Sequence, residues 1–91
     1  MREKFEGRVT FVGDLKSYQG RDGSDHVERT VVVETDDRYP ESAAFRLRDN
    51  LAKSYFAAGM AVSVSFELRA QQGKSGLYFN ELNAWNINIK N

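Results

Sequence analysis

Cysteine is missing from the 91 residues, and histidine, proline and tryptophan occur once each. Without cysteine the chain has no disulfide framework, thiolate nucleophile or cysteine-based zinc site. The lone His26 lies near Asp25 and Glu28 with no second strong ligand at usable strand spacing, so no metal site is expected. His26 reads instead as an exposed strand residue. No apolar run approaches the length of a membrane span, and the opening MREKFEGR lacks the apolar core of a signal peptide. A cytoplasmic protein with no membrane partner is the expectation. The single proline and the lack of a long low-complexity tract argue against linkers and disorder. That leaves one domain over residues 1–91, with a modest core.

Net charge is lacking too, with thirteen basic residues balancing thirteen acidic ones. On average this disfavours a strongly electrostatic nucleic-acid binder. The charges are unevenly spread, however. Between Ser42 and Asn80 there are five basic residues and two acidic ones, which leaves eight and eleven for the rest. Catalytic signatures are also missing: there is no phosphate-binding glycine–lysine loop, nucleophile elbow or paired-histidine motif. Glu34, Asp36 and Asp37 form a carboxylate cluster, but at a strand end Asp serves the turn itself. Neither enzyme activity nor a cofactor is expected.

What the chain does contain is β-structure. In MAVSVSFELRA, from Met60 to Ala70, Val62, Val64, Phe66 and Leu68 alternate with polar residues, the period of a strand with one buried and one wet face. The turn-forming QQGKSG follows, and then LYFNELNAWNINI, rich in β-formers and aromatics. Together they predict a long hairpin with a basic tip at Lys74. Lys4 to Val12 alternates loosely; Gly7 within it suggests a bend or a close backbone approach, and Phe11–Val12 breaks the pattern as a β-bulge would. Phe11 is expected in the core. The run GDLKSYQGRDGSD predicts a long first loop over 14–25, and HVERTVVVET predicts a second strand. After a turn at Asp36–Arg38, a third strand from Tyr39 to Arg48 places Phe45 and Leu47 inward and Arg46 and Arg48 side by side outside. Asp49 or Asn50 is suited to cap a short helix, LAKSYFAAG, with Leu51, Tyr55 and Phe56 on one side and Gly59 to stop it.

The resulting order is β-β-β-α-β-β. It matches an all-β fold class: a five-stranded OB-fold Greek-key barrel with one short helix between strands three and four. The outside of strands two and three of this fold, with the first and fourth loops, usually receives oligonucleotides or oligosaccharides. Lys16, Arg21, Arg46, Arg48, Arg69 and Lys74 fall there as candidate phosphate contacts. Tyr18 in the 14–25 loop and Tyr78 just after the 69–76 loop are the candidate base-stacking residues, as the two loops close over the strand. Tyr39 is assigned to the barrel rim and Trp85 to a structural role, its indole packed at the barrel edge.

The segments ETDDRYP at 34–40, the F-x-L at 45–47 and YFNELNAWNI at 78–87 resemble a small bacterial and phage domain family of unassigned function. The similarity runs over nearly the whole chain, and its most specific piece is the closing A-W-x-I around Trp85. That family is itself similar to single-stranded DNA-binding OB domains. Fold and resemblance together point to a non-enzymatic binder of single-stranded DNA or RNA with little sequence preference. Because so few phosphate contacts bind weakly, a homodimer that adds avidity is expected. The alternative is a protein-interaction module docking a replication or phage protein; an oligosaccharide or small-ligand binder comes third.

Overall fold

In a computed structural model, residues 2–90 are described; Met1 and Asn91, the ends of the domain expected over 1–91, lie outside the described residues. Six strands and one helix follow in the order β1 (Arg2–Val12), β2 (Lys16–Gln19), β3 (Asp25–Glu34), β4 (Ser42–Arg48), α1 (Asp49–Lys53), β5 (Ala61–Gln72) and β6 (Tyr78–Lys90). Five long strands close into a barrel in the order β1-β3-β4-β6-β5, and β5 returns to β1. All pairings are antiparallel except β4 with β6, where Arg46 lies opposite Asn83. This is the expected OB-fold Greek key. The sixth strand, β2, is a short addition in what reads from sequence as the first loop.

Closure depends on β1, which serves two partners. Its first half pairs with β5, as Phe5 with Val64 and Gly7 with Val62; its second half pairs with β3, as Val9 with Val33. At the changeover a Cβ on Gly7 would lie 2.1 Å from the Glu34 carbonyl oxygen, so only glycine lets the backbones approach this closely. Two residues later the register slips: Val9 faces Val33, but Phe11 faces Val32. Simple alternation would send Phe11 inward behind Val9. The bulge at Thr10 reverses the alternation, so Val12 packs on the core and Phe11 stands 57% exposed. Phe11 is therefore not a core residue.

The core is built from the inward set of each strand: Val9, Val31, Val33, Phe45, Leu47, Val62 and Val64, all 1% exposed or less. Phe45 sits at its centre, tilted against Phe5 at 5.6 Å and Phe66 at 5.1 Å between ring centroids. The helix closes one end with Ala52, and Phe56 just beyond it completes the plug. It is shorter than the predicted LAKSYFAAG, ending at Lys53, and Tyr55 is 76% exposed rather than turned inward with Leu51. Neither Asp49 nor Asn50 caps it. Arg48 occupies the N-cap without a side-chain hydrogen bond, and Asp49 adopts φ 53°, which frees its carboxylate for another partner. Gly59 also lies beyond the helix, at φ 95°, where its N–H donates to the Val9 carbonyl.

Three other boundaries shift. The third long strand begins at Ser42 instead of Tyr39, because residues 35–41 fold back through hydrogen bonds between Thr35 and Glu41. Of the first loop, only short connections remain around β2, which pairs with β3 from Lys16–Glu28 to Gln19–Asp25. The basic tip shrinks to residues 73–77, since β5 and β6 stay paired as far as Gln72–Tyr78.

Gly7→Ala tests the closure. The added methyl meets a backbone carbonyl that cannot swing aside, so the loss should reach roughly 3 kcal/mol, the upper range for overpacking. A urea titration should show the midpoint falling with an unchanged slope.

Candidate functional site

The outward residues of β3 and β4 form one face. Thr30 lies opposite Arg46, Glu28 opposite Arg48, and Val32 opposite Ala44. β2 extends that face, with Lys16 opposite Glu28 and Tyr18 opposite His26. The far side is walled by β6. Between these walls lies a groove of about 490 Å³ whose lining includes Phe11, Lys16, Glu28, Arg46, Glu81 and Leu82. Its size falls within the roughly 300–1,000 Å³ of ligand-binding clefts.

Arg46 is the centre of the floor. Its guanidinium donates to Glu28 on β3 through Nε, and to Glu81 on β6 through Nη1 at 2.6 Å. Gln71 on β5 donates to the other Glu81 oxygen. One cation thus ties together three barrel strands, with a neighbouring amide from a fourth. Burial opposes the charged form of Arg46, but its hydrogen bonds to Glu81 and Glu28 outweigh it and raise its pKa above the ordinary value. The guanidinium also lies over the Tyr18 ring, 5.7 Å from its centroid. Tyr18 in turn stacks on His26 at 5.3 Å and 25°.

His26 is half-buried and held at both ring nitrogens. Nδ1 lies 3.0 Å from Asp49 Oδ1, and Nε2 lies 2.8 Å from the Ser24 hydroxyl. The Asp49 carboxylate also accepts from the Val27 N–H at 3.4 Å. These contacts pull the Asp49 pKa below its ordinary value, the His26 hydrogen bond contributing most. Ser24, His26 and Asp49 have the connectivity of a nucleophile, base and orienting acid. The Ser24 hydroxyl, however, donates to Asp22 at 2.6 Å, which holds its proton away from the imidazole. As built, the chain of contacts pins the β2–β3 turn to the start of α1. His26 is thus a fastening residue beneath Tyr18, not the exposed strand residue its neighbours suggest.

Of the residues singled out by sequence, Lys16 and Arg46 line the groove, and Tyr18 lies against Arg46 beside it. Arg48 is exposed one step along β4, and among the described residues it forms no ion pair. Arg21 is exposed in the turn after β2, and Lys74 in the tip at 73–77. Arg69 lies on β5, in strand and not loop, where Glu67 engages it at 3.3 Å. Tyr78 opens β6 and is 72% exposed, with Leu77 and Phe79 exposed beside it. None of these five lines the groove. Tyr39 is 75% exposed, its ring under Arg38 at 5.5 Å and not closing the rim. Trp85 is 55% exposed, because the β5–β6 register skips it: Ser65 faces Asn86 and Phe66 faces Ala84. A packed position at the barrel edge is therefore not what it occupies. Glu28 and Glu81 line the groove without having been singled out, and Phe11, turned outward by the bulge, lines it instead of the core. Glu28 falls into place from strand alternation with Arg48, whereas Glu81 reaches Arg46 only through the non-local β4–β6 pairing.

Over residues 4–88 the sequence matches a family described as a domain of unknown function, DUF3127. The chain belongs to this family. No curated protein matches it at a significant level. Among solved structures, this DUF3127 domain is similar to the second OB-fold domain of replication protein A from Methanococcus maripaludis. The TM-score is 0.76 at 22% identity, covering 98% of this chain and 83% of that one. It is also similar to Rim1, a mitochondrial single-stranded DNA binding protein from S. cerevisiae, with a TM-score of 0.66 at 12% identity over 98% and 94% of the two chains. A second crystal form of Rim1 gives 0.63 at 13% identity, over 97% and 91%. At these identities the likeness establishes the OB-fold alone. Among the described residues, no helix is long and apolar enough to cross a membrane.

The lowered Asp49 pKa gives a pH dependence with a definite sign. Its contribution is present above the ordinary 3.8 and is lost as pH falls through the lower folded-state value. Hydrogen exchange at Val27 should therefore accelerate in strong acid beyond the intrinsic trend. Asp49→Asn, which tolerates the left-handed backbone, should exchange faster at neutral pH and lose that acid dependence.

Proposed function

We propose that this domain is a non-enzymatic binder of single-stranded nucleic acid, DNA before RNA, received in the groove over β3 and β4. The observation that carries the reading is convergence. Exposed Phe11 and the cation Lys16 line one cleft on the outer face of the barrel, and half-buried Tyr18 lies beside it against the floor residue Arg46. Aromatic faces beside a cationic rim are what single strands need, since bases stack on the rings and phosphates follow the charge. The OB-fold supports the choice of face, and the similar proteins include one described as binding single-stranded DNA. Lys16, Arg48, Lys74 and Arg21 are the cations available for phosphate, because Arg46 and Arg69 are already engaged by carboxylates. Tyr78 and the 73–77 tip would close over the strand from the β6 side.

A contact set this small gives weak binding by one domain. A homodimer would raise affinity by placing two grooves on one strand, and we include self-association in the proposal. A cytoplasmic setting agrees with the reading. A second reading is supported by Leu77, Tyr78 and Phe79, three consecutive apolar residues 73%, 72% and 52% exposed on the β5–β6 arm. Such a patch suits docking to another protein, such as a replication or phage component.

Fluorescence anisotropy with a labelled single-stranded oligomer, at several salt concentrations and with duplex as control, tests the first reading. Two or three phosphate contacts predict a log–log salt slope of roughly −1.4 to −2, and Lys16→Ala should make it shallower by about 0.7. No binding at low salt and tens of micromolar protein would remove the reading and leave the docking module.

A further inference from the structure

The floor of the groove is built against phosphate. Arg46 is its central cation, and its Nε, Nη1 and Nη2 are all directed at Glu28 or Glu81. Two carboxylates around one guanidinium leave an excess negative charge where a phosphate would have to sit. The same groups are rich in acceptors. Among the described residues, Glu28 Oε1 accepts no hydrogen bond, since both donations from Arg46 reach Oε2. Glu81 takes one donor on each oxygen, Arg46 on Oε1 and Gln71 on Oε2. Each oxygen keeps a lone-pair direction for a second. The side chains are reachable, at 27% exposure for Glu28 and 13% for Glu81. Gln71 and Arg46 fix the carboxylates in place, so the acceptors are preorganised.

We infer, resting on the nucleic-acid reading above, that the groove selects bases carrying an exocyclic amino group, cytosine in particular, over uracil and thymine. A carboxylate accepts from the cytosine N4 amino group. Uracil places a carbonyl oxygen at the same ring position, which would face the carboxylates lone pair to lone pair. Stacking on Phe11 is indifferent to this difference, because every base has a π-face. The Phe11 ring therefore supplies affinity, the carboxylates supply the discrimination, and phosphates stay outside on Lys16 and Arg48.

The test is competition anisotropy at neutral pH with oligo-dC and oligo-dU of equal length, which differ in the ring edge and not in the sugar or a methyl group. Wild-type protein should prefer dC by roughly tenfold, the scale of one good base-edge contact. Glu28→Gln keeps an oxygen for Arg46 but replaces an acceptor by a donor, so the ratio should fall to near unity as dU binding improves. An oligomer of pyrimidin-2-one nucleotides, lacking both the amino group and the uracil carbonyl, probes the same contact without altering the protein and should bind more weakly than dC and more tightly than dU. Equal or tighter binding of dU to the wild type would overturn the inference and leave nucleic-acid binding intact. Failure of both oligomers to bind at low salt would overturn the underlying reading and the inference with it.

Discussion

The fold depends on one strand being shared between two neighbours. β1 pairs with β5 along its first half and β3 along its second, and a five-stranded sheet becomes a barrel only because it can do both. Gly7 permits the crossing, where any Cβ would strike the Glu34 carbonyl. The slip after Val9 then restores inward packing at Val12. The bulge has a consequence beyond closure. It turns Phe11 out of the core and onto the wall of the groove. Barrel geometry and groove chemistry thus share an origin in the same few residues.

A second constraint is electrostatic. Thirteen acids and thirteen bases look unpromising for a nucleic-acid binder, yet the balance is local as well as global. Arg46 joins β3 and β6 by pairing with one carboxylate from each, so the centre of the groove holds a cation without offering it to phosphate. A partly buried pair of this kind contributes little net stability when complete and costs more when one member is removed. Arg46 is therefore as much a seam of the barrel as a surface residue. Tyr18, in contact with both Arg46 and His26, extends the seam to β2, and Asp49 fastens it to α1.

The legible parts of the sequence were those governed by local periodicity. Val62, Val64 and Phe66 alternate so cleanly that β5 and its hairpin partner follow directly. Phe45 and Leu47 inward with Arg46 and Arg48 outward holds as well. Even the Gly7 approach and the bulge were visible as breaks in a pattern. The bulge's consequence was not, because whether Phe11 or Val12 turns inward depends on which residue slips. Around Tyr18, glycine and aspartate dominate and read as loop, whereas pairing with β3 makes it strand. Glu81 could not be linked to Arg46 from sequence at all: they are 35 positions apart and meet across a parallel pairing. The helix was overextended because LAKSYFAAG has adequate propensity, and the chain leaves it after Lys53 to bury Phe56.

The central claim is that the groove between β2, β3–β4 and β6 is where this domain meets its ligand. An amide NMR titration of the isotope-labelled protein with a short single-stranded oligomer reads this directly. Progressive shifts are expected at Phe11, Lys16, Glu28, Arg46 and Leu82, while a second groove, elsewhere on the barrel and lined by Gly7, Thr35 and Lys90 among others, stays unmoved. Shifts confined to that second groove, or to the outer residues of β6 around Trp85 and Ile89, would contradict it.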